Sequence, residues 1–300
     1  MPIITYRKWS YIFSLILIAG SLLSIAFFGF KTGIDFAGGS LLEVSYTGER
    51  PSVEDISLEL DKNPALHGYS IRPTGDKGYI LRTPYLEGSS HSEALQALSL
   101  GKEIPTEIRF DAVGPTVGVE LKTKALLSLA LVMLAIVLFI AFAFRKVSEP
   151  VSSWIYGLVA ITALAHDVII PTGFFSIMGH FAGFEIDGLF VTALLVVLGF
   201  SVHDTIVVFD RVRENLRLNK EKKNKEEFGA TVGKSVAQTF NRSINTSLTT
   251  VLALLALYFF GAGATQHFAL ALIVGIVAGT YSSIFLGSPL LVTIEAWRKK

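Results

Sequence analysis

Residues 194–215 read LLVVLGFSVHDTIVVFDRVREN, and this stretch decides what kind of protein the chain is. Apolar residues run from Leu194 to Phe200, His203 and Asp204 interrupt, and Ile206 to Phe209 resume the run. Charge returns at Asp210, Arg211 and Arg213. The pattern is a membrane-spanning helix with an acid inside it, leaving the bilayer near Asp210. A carboxylate at that depth costs roughly 2.5–3.5 kcal/mol on insertion scales, so it requires a partner, water or a proton. A soluble core helix with one paired acid would read the same locally; the rest of the chain decides against it.

Of the 300 residues, 51% are hydrophobic and 17% are charged, against about 25% charged in an average soluble chain. With a mean hydropathy of +0.54, this is the composition of an integral membrane protein. The net charge of +1 gives no argument for a nucleic-acid partner, and none is expected. The chain has no cysteine, which excludes disulfides, a thiol nucleophile and a cysteine-ligated metal. No catalytic constellation stands out, so neither enzymatic activity nor a cofactor is expected.

The first apolar run, from Trp9 to Phe30, follows Arg7 and Lys8. It exceeds the apolar core of a secretory signal, about 7–15 residues, and Ala26-Phe27-Phe28-Gly29 lacks a small-x-small cleavage pattern. It reads as an uncleaved span with a cytoplasmic N-terminus, occupying 1–30. Residues 31–124 are of different material. Alternation marks strands near Ser40–Thr47, Tyr69–Pro73, Tyr79–Pro84 and Glu107–Val113. A helix capped by Ser52, with Asp55 three residues on, and a second from Ser92 to Leu100 fall between them. The turn Thr74-Gly75-Asp76-Lys77-Gly78 closes a hairpin. The order β-α-β-β-α-β predicts a ferredoxin-like domain. His67 and His91 read there as surface or turn residues.

Five further spans follow, each approaching the roughly 20 residues that cross the hydrocarbon. They are Ala125–Phe144, about Val151–Ile177, about Gly188–Phe209, about Ile244–Phe260 and about Phe268–Val292. The region 125–210 thus holds spans two to four, 211–243 a basic cytoplasmic loop, and 244–300 the last two spans and a tail. Lys and Arg concentrate at Arg7 and Lys8, Arg145 and Lys146, Arg211 to Arg242, and Arg298 to Lys300, whereas the loops 178–187 and 261–266 have none. By the positive-inside bias both termini are cytoplasmic and the 31–124 domain is extracytoplasmic. Gly229 to Ser235 resembles a phosphate loop but has three residues between its glycines where four are required. Gly275 and Gly279 make a G-x-x-x-G, which lets helices approach closely.

Two polar stripes lie inside the spans. Arg242, Asn245, Thr246 and Thr249 share one face of the fifth, and Ser201, Asp204 and Thr205 share one face of the fourth. The stripes are expected to face each other, with Asp204 and Arg242 as the natural pair. A guanidinium favours an ionised acid and burial favours a neutral one. An acid balanced between them can load and unload a proton, worth roughly 2.3 kcal/mol per 100 mV. A static ion pair that fixes packing is the alternative. His166-Asp167 repeats the dipeptide His203-Asp204 one span earlier, as a relay or as a packing contact. A zinc site from these four is discounted because adjacent helical residues point apart, and no metal is expected. Glu185 and Asp187 form a wet loop or attract cations.

Four motifs in order carry a family resemblance that covers nearly the whole chain. Gly33-Ile34-Asp35-Phe36-Ala37-Gly38-Gly39 resembles the G-x-D-F-x-G-G motif of the SecD/SecF proteins. Val113-Gly114-Pro115-Thr116-Val117-Gly118 is similar to their V-G-P-x-V-G motif. Residues 201–215, which include Asp210 and Arg211, resemble the fourth-span signature of the SecF branch, and Thr239 to Thr250 its fifth-span signature. The resemblance implies six spans in the resistance-nodulation-division superfamily, in a bacterial inner membrane. It implies a complex with SecD, association with the SecYEG channel, YajC as a companion, and SecA as an indirect one. The implied role is assisting preprotein export with the proton gradient after SecA-driven insertion. By the same resemblance Asp204 and Arg242 are the proton-linked positions. His203 departs from the Asn common in the family, and a histidine titrates nearer neutrality. A proton-coupled small-molecule exporter would need a substrate-sized cavity and a second large outer domain. A structural stabiliser of the channel assembly fits the same residues.

Overall fold

The computed structural model describes residues 3–298 apart from 87, 101–103, 146–150, 225 and 262. Lys146, Lys225, Lys299 and Lys300, four of the basic residues behind the expected topology, lie outside the described residues. In chain order the elements are α1 (Arg7–Phe28), α2 (Ile34–Ala37), β1 (Gly39–Ser45), α3 (Val53–Leu60), β2 (Ser70–Thr74), β3 (Gly78–Thr83), α4 (Ser89–Ser99) and β4 (Thr106–Val113). They continue with α5 (Pro115–Ala143), α6 (Ser153–Ala182), α7 (Gly188–Glu221), α8 (Phe228–Phe260), α9 (Ala264–Ser282), a π-helical turn (Ser283–Gly287) and α10 (Ser288–Arg298). Among the described residues six stretches are long and apolar enough to cross a membrane: α1, α5, α6, α7, α8 and the continuous Ala264–Arg298. The chain divides into two compact units, Met1–Lys31 with Leu127–Lys300, and Thr32–Leu126.

The helical unit buries two apolar clusters, one around Phe144, Tyr156 and Phe209 and one around Phe175, Phe190 and Leu194, and packs polar and small residues at its helix crossings. The buried positions of α1 are three serines, Ser14, Ser21 and Ser24, whereas Leu15, Ile16, Leu22 and Leu23 are exposed. Lipid tails are as apolar as leucine, so burying leucine between spans gains little; close backbone approach and interhelical hydrogen bonds hold such helices together. At the α1–α6 crossing Ser24 donates to the Gly173 carbonyl at 3.0 Å, and Ser176 donates to the carbonyls of Ser24 at 3.0 Å and Gly29 at 2.7 Å. A Cβ on Gly173 would lie 2.3 Å from that of Ser21. Gly275 plays the same part between α9 and α7, where a Cβ would fall 2.3 Å from a Val197 methyl.

Several elements run longer than the apolar letters alone. The helix containing the second span starts at Pro115 rather than at Ala125, because proline suits a first helical turn and residues 116–124 contain no breaker but Gly118. Most of the basic loop is helical: α7 continues to Glu221 and α8 begins at Phe228. Their extensions zip together, Arg211 Nε and Asn215 Nδ2 both donating to Gln238 at 2.7 and 2.8 Å. Gly229 to Ser235 lie within α8. Two prolines perturb the spans. Pro171, inside α6, has no N–H to give the carbonyl four residues back, that of Asp167. Pro289 follows the π turn and likewise cannot donate to Phe285, so the widened turn at 283–287 accommodates it.

The Thr32–Leu126 unit is a four-stranded antiparallel sheet in the order β2-β3-β1-β4, with helices packing against it. Leu42 and Val44 of β1, Tyr79 and Leu81 of β3, Ile56 and Leu60 of α3, and Ala94 and Leu98 of α4 share one core. Ser52 caps α3, accepting from the Asp55 amide at 3.1 Å, a contact worth about 1 kcal/mol. The Asp55 carboxylate takes the Ser52 hydroxyl hydrogen at 2.8 Å, so the side chains close the box on each other.

The two glycine motifs meet within this unit. Gly38 and Gly39 have φ of 76° and 120°, in the left-handed region. A Cβ on Gly38 would approach the Pro115 Cα to 2.9 Å, one on Gly39 the Thr83 carbonyl to 2.7 Å, and one on Gly118 the Gly38 nitrogen to 2.9 Å. Gly33 starts α2, and its carbonyl accepts from Phe36 at 3.1 Å. Gly114 accepts from the Gly118 amide at 3.0 Å and has open space where a Cβ would go. Gly39→Ala is therefore expected to lower stability by about 1–3 kcal/mol, and Gly114→Ala to leave it within about 0.5 kcal/mol. Thermal unfolding of the full chain in detergent distinguishes the two.

Candidate functional site

Among the described residues four carboxylates are buried in the helical unit, Asp167, Glu185, Asp204 and Glu295; α7 meets the first through Ser201 and carries Asp204. Asp167, on α6, is fully buried. Its Oδ1 meets His166 Nδ1 at 2.8 Å, and its Oδ2 accepts from Ser201 of α7 at 2.5 Å and from Ser282 of α9 at 2.8 Å. Glycine makes room for this: a Cβ on Gly279 would lie 3.0 Å from the Ser201 Cβ and 3.5 Å from Asp167 Oδ2. His166 is also fully buried, its ring stacked on Tyr281 with centroids 6.0 Å apart, and its Nε2 has no hydrogen-bond partner.

Asp204 lies one turn further along α7. It is 7% exposed; Ser243 of α8 donates to its Oδ1 at 2.5 Å, and its Oδ2 has no partner. Beside it Thr205 and Ser283 share a hydrogen bond of 2.9 Å, and Ser247 and Thr280 one of 2.6 Å. A line of hydroxyls thus fills the seam among α7, α8 and α9. Among the described residues no lysine or arginine is buried.

This arrangement departs from the expected one. Asp204 and Arg242 do not form an ion pair: Arg242 is exposed, and the acid is held by the next residue, Ser243. Neighbouring helical residues are about 100° apart, so both cannot face α7. The stripe expected to face the fourth span, Arg242, Asn245, Thr246 and Thr249, is exposed along its length. Beside Phe228, Val232, Gly233 and Val236, the polar residues that α8 buries are instead Thr231, Ser235, Thr239, Ser243 and Ser247. Their strict spacing of four was the signal for the packed face, and size outweighed polarity in choosing it. His203 is exposed, as are Gly199 and Val196 one and two turns before it, and nothing lies within 4 Å of a Cβ built on Gly199. Asp210 pairs with Arg213 at 3.1 Å, and Arg211 with Glu214 at 2.5 Å, both along α7. Gly33, Asp35, Phe36, Gly38, Gly39, Gly114, Pro115 and Gly118 belong to the Thr32–Leu126 unit. Asp187 caps α7, accepting from the Phe190 amide at 2.8 Å. Among the described residues no three His, Asp or Glu side chains gather where a metal could be held.

The family profile for "Protein export membrane protein SecD/SecF, C-terminal" matches residues 96–297, and that for the "SecD/SecF GG Motif" matches 23–48. The chain belongs to the SecF branch of the SecD/SecF family. It is 43% identical to the protein translocase subunit SecF of Thermobaculum terrenum, over 98% of this chain and 94% of that one. It is 38% identical to the subunit of the same name from Anaerolinea thermophila, over 99% and 96%. The crystal structure of SecDF from Thermus thermophilus, described as a translocon-associated membrane protein, aligns with a TM-score of 0.83 at 30% identity. That alignment covers 100% of this chain and 39% of that chain. A second SecDF structure, in a super-membrane-facing form, aligns with a TM-score of 0.69 at 32% identity, over 99% and 39%. The protein is thus a membrane protein of the protein-transport class.

The cage around Asp167 predicts a stability difference. Hydrogen bonds to charged groups contribute about 1.5–3 kcal/mol, so Ser201→Ala is expected to destabilise the chain in detergent by that amount. Thr246→Ala, on the exposed face of α8, is expected to leave the melting temperature of the chain alone unchanged.

Proposed function

We propose that this chain is the SecF half of a SecDF complex that uses the proton motive force to assist preprotein export through SecYEG, after SecA-driven insertion and with YajC as a companion. It acts as a transport subunit in a bacterial inner membrane rather than as an enzyme. Both termini are cytoplasmic, and the ferredoxin-like domain at 31–124 is extracytoplasmic. The sheet order β2-β3-β1-β4, antiparallel throughout, supports the ferredoxin-like reading. The absence of Lys and Arg from residues 178–187 and 261–266 supports the topology.

One observation carries the proton reading. Asp204 sits in an apolar helix with an oxygen that no neighbour satisfies, and no buried lysine or arginine balances its charge among the described residues. A proton on Asp204 removes the charge; its loss restores an anion that draws on Ser243, with His203 and Arg242 exposed close along the sequence and helix face. The α7–α8 contact therefore responds to proton loading, and the extracytoplasmic domain uses the cycle to hold emerging polypeptide against backsliding. Asp167 is a second acid of the same bundle.

SecD fits the outward polar stripe of α8. Lipid tails cannot hydrogen-bond Arg242 or Asn245, so an exposed polar row at membrane depth calls for another polytopic protein. The alignment with part of a SecDF chain also supports a SecD partner.

Asp204→Asn is expected to abolish proton flux and gradient-dependent export in vesicles holding the reconstituted SecDF–SecYEG assembly, while the variant still co-purifies with SecD. Export at the unsubstituted rate by that variant would remove Asp204 from the mechanism. Asn245→Leu and Thr249→Leu are expected to leave the chain folded and weaken its co-purification with SecD severalfold; undiminished recovery of SecD would place the interface elsewhere.

A further inference from the structure

We propose that His166 is a second proton acceptor of the bundle: an imidazole base oriented by Asp167 and open to protonation at Nε2. This deepens the proton-coupling reading above and rests on it.

Two hydroxyls donate to Asp167 Oδ2, the pattern that suits an ionised carboxylate. Asp167 is met by three groups able to donate: His166 Nδ1, the Ser201 hydroxyl and the Ser282 hydroxyl. With the carboxylate ionised, the shared hydrogen sits on Nδ1 and Nε2 is left as a bare lone pair; a neutral carboxyl donating to Nδ1 would instead leave a hydrogen on Nε2. It is the aspartate–histidine arrangement that in hydrolases orients an imidazole and stabilises the imidazolium when the far nitrogen takes a proton.

Charge balance gives that nitrogen its task. Asp167 is fully buried, and among the described residues no lysine or arginine is buried anywhere in the chain. An isolated carboxylate in such a place is costly. His166 is the group positioned to neutralise it: adding a proton to Nε2 converts a cage of net charge −1 into a neutral imidazolium–carboxylate pair. The titratable groups on the elements packed against α6 offer no competitor. On α9 the Tyr281 ring lies 6.0 Å away, its hydroxyl bound to the Ser10 carbonyl at 2.9 Å. On α1, Tyr11 is bound to Thr293 at 2.8 Å. On α7 the nearest acid, Asp204, is turned to Ser243, and α10 carries Glu295, also an acid. The π turn has no titratable residue.

The surroundings can register the change. Ser201 and Ser282 hold Asp167 from α7 and α9, and Ser282 is the residue immediately before the π turn. Pro171 withdraws the amide hydrogen that would close on the Asp167 carbonyl. A proton on His166 weakens what the carboxylate asks of the two serines, at a point where both α6 and the last span already depart from regular geometry.

The test is nitrogen NMR of this subunit, ring-labelled on its histidines and reconstituted with SecD in bilayers, across a pH series. The chain has six histidines, so His166 is assigned by replacing His67, His91, His180, His203 and His267 singly. The expected result is an unprotonated Nε2 at alkaline pH that becomes protonated as the pH falls, with Nδ1 protonated throughout. An Nε2 that stays bare, or stays protonated, over the whole range would overturn the proposal. In proton-flux measurements on the same vesicles, His166→Gln is expected to lose the histidine limb of the pH profile and Asp167→Asn to displace it. A profile unchanged in His166→Gln would also overturn it. Absence of flux from the unsubstituted complex would instead defeat the proton-coupling reading and leave the NMR result to stand by itself.

Discussion

Burial of acid without buried lysine or arginine is the constraint on which the helical unit depends. Asp167 and Asp204 both lie inside, and among the described residues the arginines and lysines all lie outside. Hydroxyls do the work that cations would do elsewhere. Ser201, Ser282 and Ser243 each aim an O–H at a carboxylate, from three different helices. Such a hydrogen bond reaches only about 2.5–3 Å, so the helices must come close enough for serine to bridge. That is why glycine stands at Gly275 and Gly279, where any side chain would strike Val197 or Ser201. The small residues and the buried acids are one feature: the first makes the second tolerable.

The same logic explains which side of α8 turns inward. A helix carrying both Arg242 and Ser243 could bury the charge or the small hydroxyl. Burying the guanidinium would need a wider gap and a partner for every donor; burying serine lets α7 and α8 close on each other. The arginine is then left at the lateral surface with Asn245, Thr246 and Thr249. Gly199 and His203 of α7 are exposed as well. A polar row and an open glycine notch are poor lipid-facing features and good features for a neighbouring membrane helix.

Much of this architecture can be read from the letters. The apolar runs locate the spans, and alternation with turn residues finds each strand of the sheet to within a residue or two at either end. Asp204 is legible as a buried acid because an apolar run surrounds it. Its partner is not. Polarity at i, i+3, i+4 and i+7 pointed to the Arg242 face, a rule suited to soluble helices, where polar faces meet water. In lipid the informative property is size, and Thr231, Ser235, Thr239, Ser243 and Ser247 show it at a perfect period of four. The helical extensions beyond the bilayer were hidden for a different reason: a span is recognised by hydropathy, and a charged helix that continues it has none. The π turn is likewise invisible, since Pro289 signals a disturbance without saying whether a kink or a widened turn absorbs it.

The two acids differ in a way that bears on their roles. Asp167 receives three hydrogen bonds and has an imidazole against it; Asp204 receives one and has an oxygen left over. Asp167 is held by Ser201 and Ser282 and orients the imidazole beside it. Asp204 has Ser243 on one oxygen and no neighbour to satisfy the other. Ser201 and Asp204 lie one turn apart on α7, so whatever moves that helix is felt at both. Asp204 and the Asp167 cage are thus joined through a single helix, with Ser201 as the contact between them.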